Sequence, residues 1–185
     1  MVLRAEATFP LAQRLRVGDG APLAEVMSFM SGLYFRGKRA YANAFARPPE
    51  GVAGAYVITT NRGLWAAEEP ITARELDDFA RGDIDADNPR YRRPLVADLR
   101  RLAATDAEIV LLGSIATAKY VDVLCGVLGE RLLFPRDFVG RGDMSRGGLM
   151  LRCVDGGREL AYVPVAGAVR HGERPAKLGR RLAHP

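Results

Sequence analysis

Apolar residues recur along this chain at spacings that predict a series of helices. A helix is predicted after Pro22, a residue that suits the first helical turn. Its apolar stripe consists of Leu23, Val26, Met27, Met30 and Leu33. Further helices are predicted over residues 39–46, 73–81, 88–105 and 116–128. Thr72 and Glu75 have the three-residue spacing of a capping box at the start of the helix over 73–81.

Shorter apolar runs, rich in β-branched residues, predict strands between these helices. They cover residues 53–60, 108–112 and 131–134. A final hairpin is predicted over residues 149–154 and 159–165, because the Gly156-Gly157 pair between them favours a tight turn. This order of elements predicts an α/β fold class, with a mostly parallel central sheet flanked by helices and a C-terminal β-hairpin.

We expect residues 1–169 to form a single domain whose first 20 residues are an irregular arm, followed by a basic tail over residues 170–185. The net charge is +5, and the tail has five basic residues and one acid, which leaves about +1 on the rest. Such a tail is either a solvated end or a contact to phosphates or an acidic partner.

The sequence also limits the cellular compartment of the protein and the classes of catalytic and metal site that it can contain. No apolar run approaches the ~20 residues that cross a bilayer, and the N-terminus lacks the apolar segment of a secretory signal. We therefore expect a cytoplasmic protein with no membrane partner, in which Cys125 and Cys153 are free thiols. The two histidines, His171 and His184, lie in the tail, so a histidine zinc site or a Ser-His-Asp triad in the body is excluded.

An acidic stretch at residues 83–87 resembles the start of a calcium loop. It lacks the glycine at the sixth position, and Pro94 stands where the bidentate glutamate belongs. This pattern is typical of a solvated turn, and we expect neither a metal nor a cofactor.

The first candidate site is the Gly113-Ser114 loop, where an apolar strand gives way to a helix. Backbone N–H groups at a helix N-terminus bind anions, and side chains there add hydroxyls and a positive charge. The ligand-binding side chains predicted in this loop are Ser114, Thr117 and Lys119. The alternative is an ordinary strand-to-helix turn capped by a Ser or Thr.

The second candidate is the glycine-rich loop over residues 140–148. Arg141, Ser145 and Arg146 are predicted to bind anionic groups, and Asp143 to act as a general base or water-orienting carboxylate. The alternative is a wide polar turn in which Asp143 and Arg146 pair with each other.

Two further segments have side chains that suit the binding of a nucleotide or a nucleic acid. Asn61 and Arg62 follow the first predicted strand, and an Asn there suits the edge of a base; alternatively, Asn61 is only a turn residue and Trp65 belongs to the core. The segment over residues 31–38 combines aromatic and basic side chains that suit a nucleotide or a phosphate backbone. It equally suits a kinked helix with its aromatic rings in the core.

Three segments together resemble divergent, uncharacterised bacterial relatives of the uracil-DNA-glycosylase-like α/β fold. They are residues 56–64, Leu112-Gly113-Ser114 with Lys119-Tyr120-Val121, and Pro135 with the later glycine-rich loop. The chain lacks the Gly-Gln-Asp-Pro-Tyr and His-Ser-Pro loops of true uracil glycosylases. The resemblance therefore implies nucleobases, nucleotides or nucleic acid as ligands, without implying uracil excision.

The leading hypothesis is a nucleotide- or nucleic-acid-directed enzyme, a hydrolase or transferase that cleaves or exchanges a glycosidic or phosphate-linked bond. The alternative is a non-catalytic binding module or complex subunit that uses the basic tail and the Arg90–Arg101 helix. A third hypothesis is a structural partner that forms a homo-oligomer or a protein complex through exposed aromatic residues.

Overall fold

The computed structural model describes residues 2, 4, 6–116 and 118–179, and most of its ordered backbone is helical. The helices of this part of the chain are α1 (Pro10–Arg16), α2 (Leu23–Ser31), α3 (Leu33–Phe45), α4 (Ala73–Ala80), α5 (Pro89–Ala103), α6 (Ala118–Leu128) and α7 (Asp143–Asp155). The strands are β1 (Ala21–Pro22), β2 (Tyr56–Ile58), β3 (Leu64–Ala66), β4 (Pro70–Ile71), β5 (Ile109–Val110), β6 (Leu132–Pro135) and β7 (Tyr162–Pro164). Short 3₁₀ helices cover Gly129–Arg131 and Arg136–Phe138.

The strands form three small sheets, and the predicted mostly parallel central sheet is wrong. β1 pairs with β4 and β2 with β3, both antiparallel, while β6 lies between β5, which is parallel to it, and the antiparallel β7. The apolar runs over 53–60 and 108–112 contribute only three and two residues of strand. Strands this short cannot build a central layer, so the helices pack mainly on one another.

The predicted C-terminal hairpin is also wrong, because residues 149–154 belong to helix α7. The Gly156-Gly157 pair ends this helix: the Gly156 N–H donates to the Arg152 carbonyl at 2.9 Å, and Gly157 has φ of +60°. Glycine is favoured at such a helix end for the same conformational reason that it is favoured in a hairpin turn. β7 does form, but its partner is β6.

The N-terminal arm is not irregular throughout, since it contains α1. Pro10 opens this helix, and Leu11, Ala12 and Leu15 are buried. The helix forms because this apolar face has α2 and α4 to pack against. The described part of the tail, residues 170–179, has no helix or strand.

The other helix predictions are confirmed, with one change. Thr72 and Glu75 form the complete capping box of α4. Gly32, with φ of +60°, ends α2, so Leu33 begins α3 and does not continue the helix from Leu23. The helix predicted over 39–46 therefore starts six residues earlier, with Gly37 inside it. No helix in the described part of the chain is long and apolar enough to cross a membrane.

Two apolar cores stabilise this arrangement. The smaller one joins α1, α2, α4, β1 and β4; its most buried side chains include Leu15, Leu23, Val26 and Ile71. The larger one joins α3, α5, α6, α7 and the three-stranded sheet; its most buried side chains include Tyr41, Tyr91, Leu95, Phe134 and Met150. Helices α3 and α7 both belong to the larger core.

The axes of α3 and α7 approach closely at a pair of glycines. A Cβ atom on Gly37 would lie 2.7 Å from the Gly147 carbonyl oxygen, and one on Gly147 would lie 2.8 Å from the Leu33 carbonyl oxygen. Both helices therefore require glycine at this crossing. The polar side chains of both helices are brought together beside it, since Lys38 follows Gly37 and Arg146 precedes Gly147.

Candidate anion-binding site

The α3–α7 crossing gathers the polar side chains of three segments that are distant in sequence. Tyr34 and Lys38 come from α3, Asp143 and Arg146 from α7, and Tyr120 from α6. We call these five residues the α3–α7 cluster. It unites the 31–38 segment and both glycine-rich loops, which the sequence could only present as separate candidates.

Arg146 is the most buried charged residue of the cluster, with 9% of its side chain exposed. Its Nε donates to the Phe138 carbonyl at 3.3 Å, and its guanidinium lies 5.7 Å from the centre of the Phe138 ring. Its Nη1 lies 3.5 Å from Asp143 Oδ1, but the Asp143 side chain is 63% exposed. An ion pair with so exposed a carboxylate compensates the buried guanidinium only weakly.

Lys38 lies beside this cation, with its Nζ 4.0 Å from the centre of the Tyr34 ring. No carboxylate of the described residues lies within 4.0 Å of that Nζ, so an aromatic face replaces an ion pair. Burial lowers the pKa of Lys38 to about 8, Asp143 opposes this change, and Arg146 adds to it. At neutral pH Lys38 is still mainly charged.

Two phenol groups connect the cluster to the Gly113-Ser114 loop. The Tyr34 hydroxyl donates to the Leu112 carbonyl at 3.0 Å, and the Tyr120 hydroxyl donates to the Ser114 carbonyl at 2.6 Å. Burial raises the pKa of Tyr34 to about 12 and also raises that of Tyr120. Both phenols are therefore neutral donors at physiological pH.

The first turn of α7 adds backbone donors to the same place. Gly142 precedes the helix and offers no side chain to cap it. The Arg146 N–H donates to the Gly142 carbonyl, so the N–H groups before it lack intrahelical acceptors. With Lys38 and Arg146 charged against Asp143 alone, the cluster has an excess of one positive charge. This combination is suited to a phosphate or carboxylate group.

The glycine-rich loop is shorter than predicted, because α7 begins at Asp143. The alternative interpretation, in which Asp143 and Arg146 pair, describes their contact correctly, although the pair is long and lies on a helix. Arg141 and Ser145 contact each other: Arg141 Nη1 donates to Ser145 Oγ at 3.2 Å, and its Nε donates to the Asp137 carbonyl at 2.9 Å. Neither forms a hydrogen bond or ion pair with Lys38 or Arg146.

The Gly113-Ser114 loop contributes its backbone to the cluster. Ser114 Oγ accepts from the Ala116 N–H at 3.3 Å, which is a local turn interaction. Lys119 is exposed at the beginning of α6. Thr117 lies outside the described residues.

Asn61 and Arg62 lie in a different place, beside α4. Asn61 Nδ2 donates to Asp78 Oδ2 at 2.9 Å, and Arg62 Nη2 lies 3.8 Å from the same oxygen. They line a cleft that contains no residue of the α3–α7 cluster. The predicted ligand-binding residues therefore divide between two separate places.

Sequence reasoning did not select Tyr34, Lys38 or Tyr120 as individual site residues. The four-residue spacing of Tyr34 and Lys38 places them on one face of a helix, and that signal was available. The contribution of Tyr120 depends on tertiary packing and had no comparable signal.

No group of three His, Cys, Asp or Glu side chains within the described ranges is placed to hold a metal ion. The chain matches no protein-family model, no curated protein and no solved structure. The resemblance to relatives of the uracil-DNA-glycosylase-like fold therefore remains a hypothesis.

Proposed function

We propose that this protein binds a small nucleotide-like anion at the α3–α7 cluster. The observation that supports this most is the charge balance: Arg146 is buried and the neighbouring Lys38 is half-buried, whereas Asp143, the one acid among the described residues that faces them, is exposed. Buried positive charge that is only weakly compensated by an exposed carboxylate is unfavourable until a further anion is bound. A phosphate or carboxylate ligand supplies that counter-anion.

We further propose that the bound ligand is a substrate and that Asp143 is the general base. Its carboxylate lies one turn from Arg146 and is accessible to water. In this reaction Asp143 accepts a proton from a water molecule, and the water oxygen bonds to a glycosidic carbon or a phosphorus atom. The bond to the leaving group breaks, and the leaving group receives the proton. The proposed class is therefore a hydrolase, or a transferase where another hydroxyl replaces water.

The free cysteines agree with a reducing compartment. Cys125 and Cys153 form no disulfide with each other, and burial raises the pKa of both thiols. We propose that the protein acts in the cytoplasm.

The direct test is a thermal-shift screen against nucleotides, nucleosides, sugar phosphates and inorganic phosphate. A ligand at about 100 times its dissociation constant adds roughly 2.7 kcal/mol, which is a shift of a few degrees. We expect Lys38→Gln to abolish the shift, because it removes one of the two cations. Lys177→Gln is the matched control and is expected to preserve it, since Lys177 is an exposed lysine of the tail.

Two results would contradict the proposal. One is that no anionic ligand shifts the melting temperature. The other is that a ligand does so equally in the wild-type protein and in Lys38→Gln.

A further inference from the structure

A second basic surface lies on α5, and the proposed ligand site does not use it. Among the described residues, the side chains of four exposed arginines on this helix have no ion pair and no hydrogen bond: Arg90, Arg92, Arg93 and Arg100. The nearby acid Asp98 is already engaged, because its carboxylate contacts Arg101 and accepts from the Leu64 N–H at 2.7 Å. The four arginines are therefore available to a partner.

Two adjoining clefts run along this helix. The first has a volume of about 420 Å³ and lies between α5 and the turn after β2; the second has a volume of about 380 Å³. Both are bordered by Pro89 and Arg93. Together they are lined by five arginines, which are Arg62 and the four above, and by two acids, Asp78 and Asp87. The pair of clefts therefore has an excess of three positive charges.

The spacing of the arginines suits a phosphate backbone. Arg90, Arg93 and Arg100 fall on one face of the helix, because they are separated by three and seven residues. At 1.5 Å per residue they extend over about 15 Å, which is the length of several successive phosphates.

Asn61 adds a group that can recognise a base. Its Nδ2 donates to Asp78 Oδ2 at 2.9 Å. Its Oδ1 has no hydrogen-bond partner among the described residues and is shielded from water, although Asn61 lines the first cleft. A small rotation towards the cleft would give this oxygen a donor from a bound molecule. The exocyclic amino groups of adenine, cytosine and guanine are donors of this kind. Thymine has no amino group, and its one donor, the ring N3–H, is flanked by two carbonyl acceptors that oppose the approach of another oxygen.

We propose that the two clefts along α5 bind a single-stranded nucleic acid, with its phosphates on Arg90, Arg93 and Arg100 and one base in the first cleft against Asn61. An unpaired strand is required because a base within a duplex cannot enter a cleft without being flipped out. This interaction is independent of the ligand at the α3–α7 cluster.

The test is fluorescence anisotropy of the full-length protein with short labelled oligonucleotides at several salt concentrations. The double variant Arg90→Gln/Arg93→Gln is expected to weaken binding at least about tenfold and to reduce the slope of log K against log salt by about 1.4, or 0.7 for each lost phosphate contact. The matched control is Arg174→Gln/Lys177→Gln, which removes the same charge from the exposed tail. We expect this control to change binding much less.

Base recognition is tested with Asn61→Ala. Wild-type protein is expected to bind oligo-dC and oligo-dA more tightly than oligo-dT, and the variant is expected to lose this preference. All the arginines tested are exposed, so circular dichroism should show unchanged folding.

Three outcomes would overturn the proposal. The first is that the tail variant weakens binding as much as the α5 variant, which would indicate a response to total charge. The second is that a duplex binds as tightly as the single strand. The third is that an acidic peptide competes as well as an unlabelled oligonucleotide, which would indicate a protein partner.

Discussion

Gly37 and Gly147 lie against each other where α3 crosses α7, at a separation that leaves no space for a methyl group on either residue. This contact determines how close the two helices approach. The distance between Lys38 and Arg146 depends on it, since each is one residue away from a glycine of the pair. The geometry of the candidate site is therefore coupled to the packing of two residues without side chains.

Alanine at either glycine of this crossing is expected to destabilise the protein. For Gly37→Ala and Gly147→Ala the new Cβ would lie within 3.0 Å of backbone atoms, so the helices must separate, at a cost of about 1–3 kcal/mol. The control is Gly126→Ala in α6, where no atom lies within 4 Å of the added Cβ. This change is expected to stabilise the helix by up to about 1 kcal/mol. Urea denaturation measures all three, and equal effects at the three positions would contradict the packing account.

Removing a hydroxyl from two buried tyrosines is expected to have opposite effects. The Tyr41 hydroxyl accepts from the Leu160 N–H at 2.8 Å and is 2.7 Å from the Tyr162 hydroxyl, so Tyr41→Phe leaves a buried donor unsatisfied. We expect a loss of about 1–3 kcal/mol. Within the part of the chain that the structure describes, the Tyr91 hydroxyl has no hydrogen-bond partner, so Tyr91→Phe is expected to be neutral or stabilising. Denaturation midpoints of the two variants test this difference, and a larger loss for Tyr91→Phe would refute it.

Asp143→Asn is expected to separate binding from reaction. It removes the acid that faces Lys38 and Arg146, so an anionic ligand should bind at least as tightly as to the wild-type protein. If Asp143 is the general base, turnover falls by about 10² or more. Calorimetry and a steady-state assay with the ligand found in the screen measure the two effects. Unchanged turnover would remove Asp143 from the proposed mechanism and leave the binding site intact.

The stability of the protein is expected to rise between about pH 8 and pH 10 because of Lys38. Its native pKa is about 8, below the value of 10.5 for an unperturbed lysine. In this window the unfolded chain therefore binds more protons than the native state, and the free energy of unfolding increases with pH. Above about pH 10 the raised pKa of Tyr34 acts in the opposite direction. Lys38→Met should flatten the rise; an identical pH profile in this variant would show that Lys38 does not cause it.

The helices could be predicted because their signals are local. The capping box at Thr72 and the apolar stripe from Leu23 depend on residues within a few positions of each other. The strands could not be predicted with the same success, because an apolar run such as 108–112 fits a buried loop or a strand equally well. Only the tertiary packing limits this strand to Ile109–Val110.

The candidate site was predicted in its parts, whereas the combination of those parts was not. The glycines of the 140–148 segment indicated a flexible loop, but Gly147 is conformationally ordinary and is needed for its small size. Which residues contact the backbone of another helix depends on the tertiary packing, and a local sequence pattern does not reveal this. For the same reason the sequence does not show that Asn61 and Arg62 line a cleft separate from the α3–α7 cluster.

The most direct test of the central proposal is an NMR titration of the Lys38 side chain, with and without inorganic phosphate or the best nucleotide from the screen. We predict a pKa of about 8 in the free protein, and an increase when the anion binds, because a negative charge beside Lys38 favours its protonated form. Binding should correspondingly weaken as the pH rises above 8. An unperturbed Lys38 pKa near 10.4, or a pKa near 8 that saturating anion does not change, would contradict an anion site at the α3–α7 cluster.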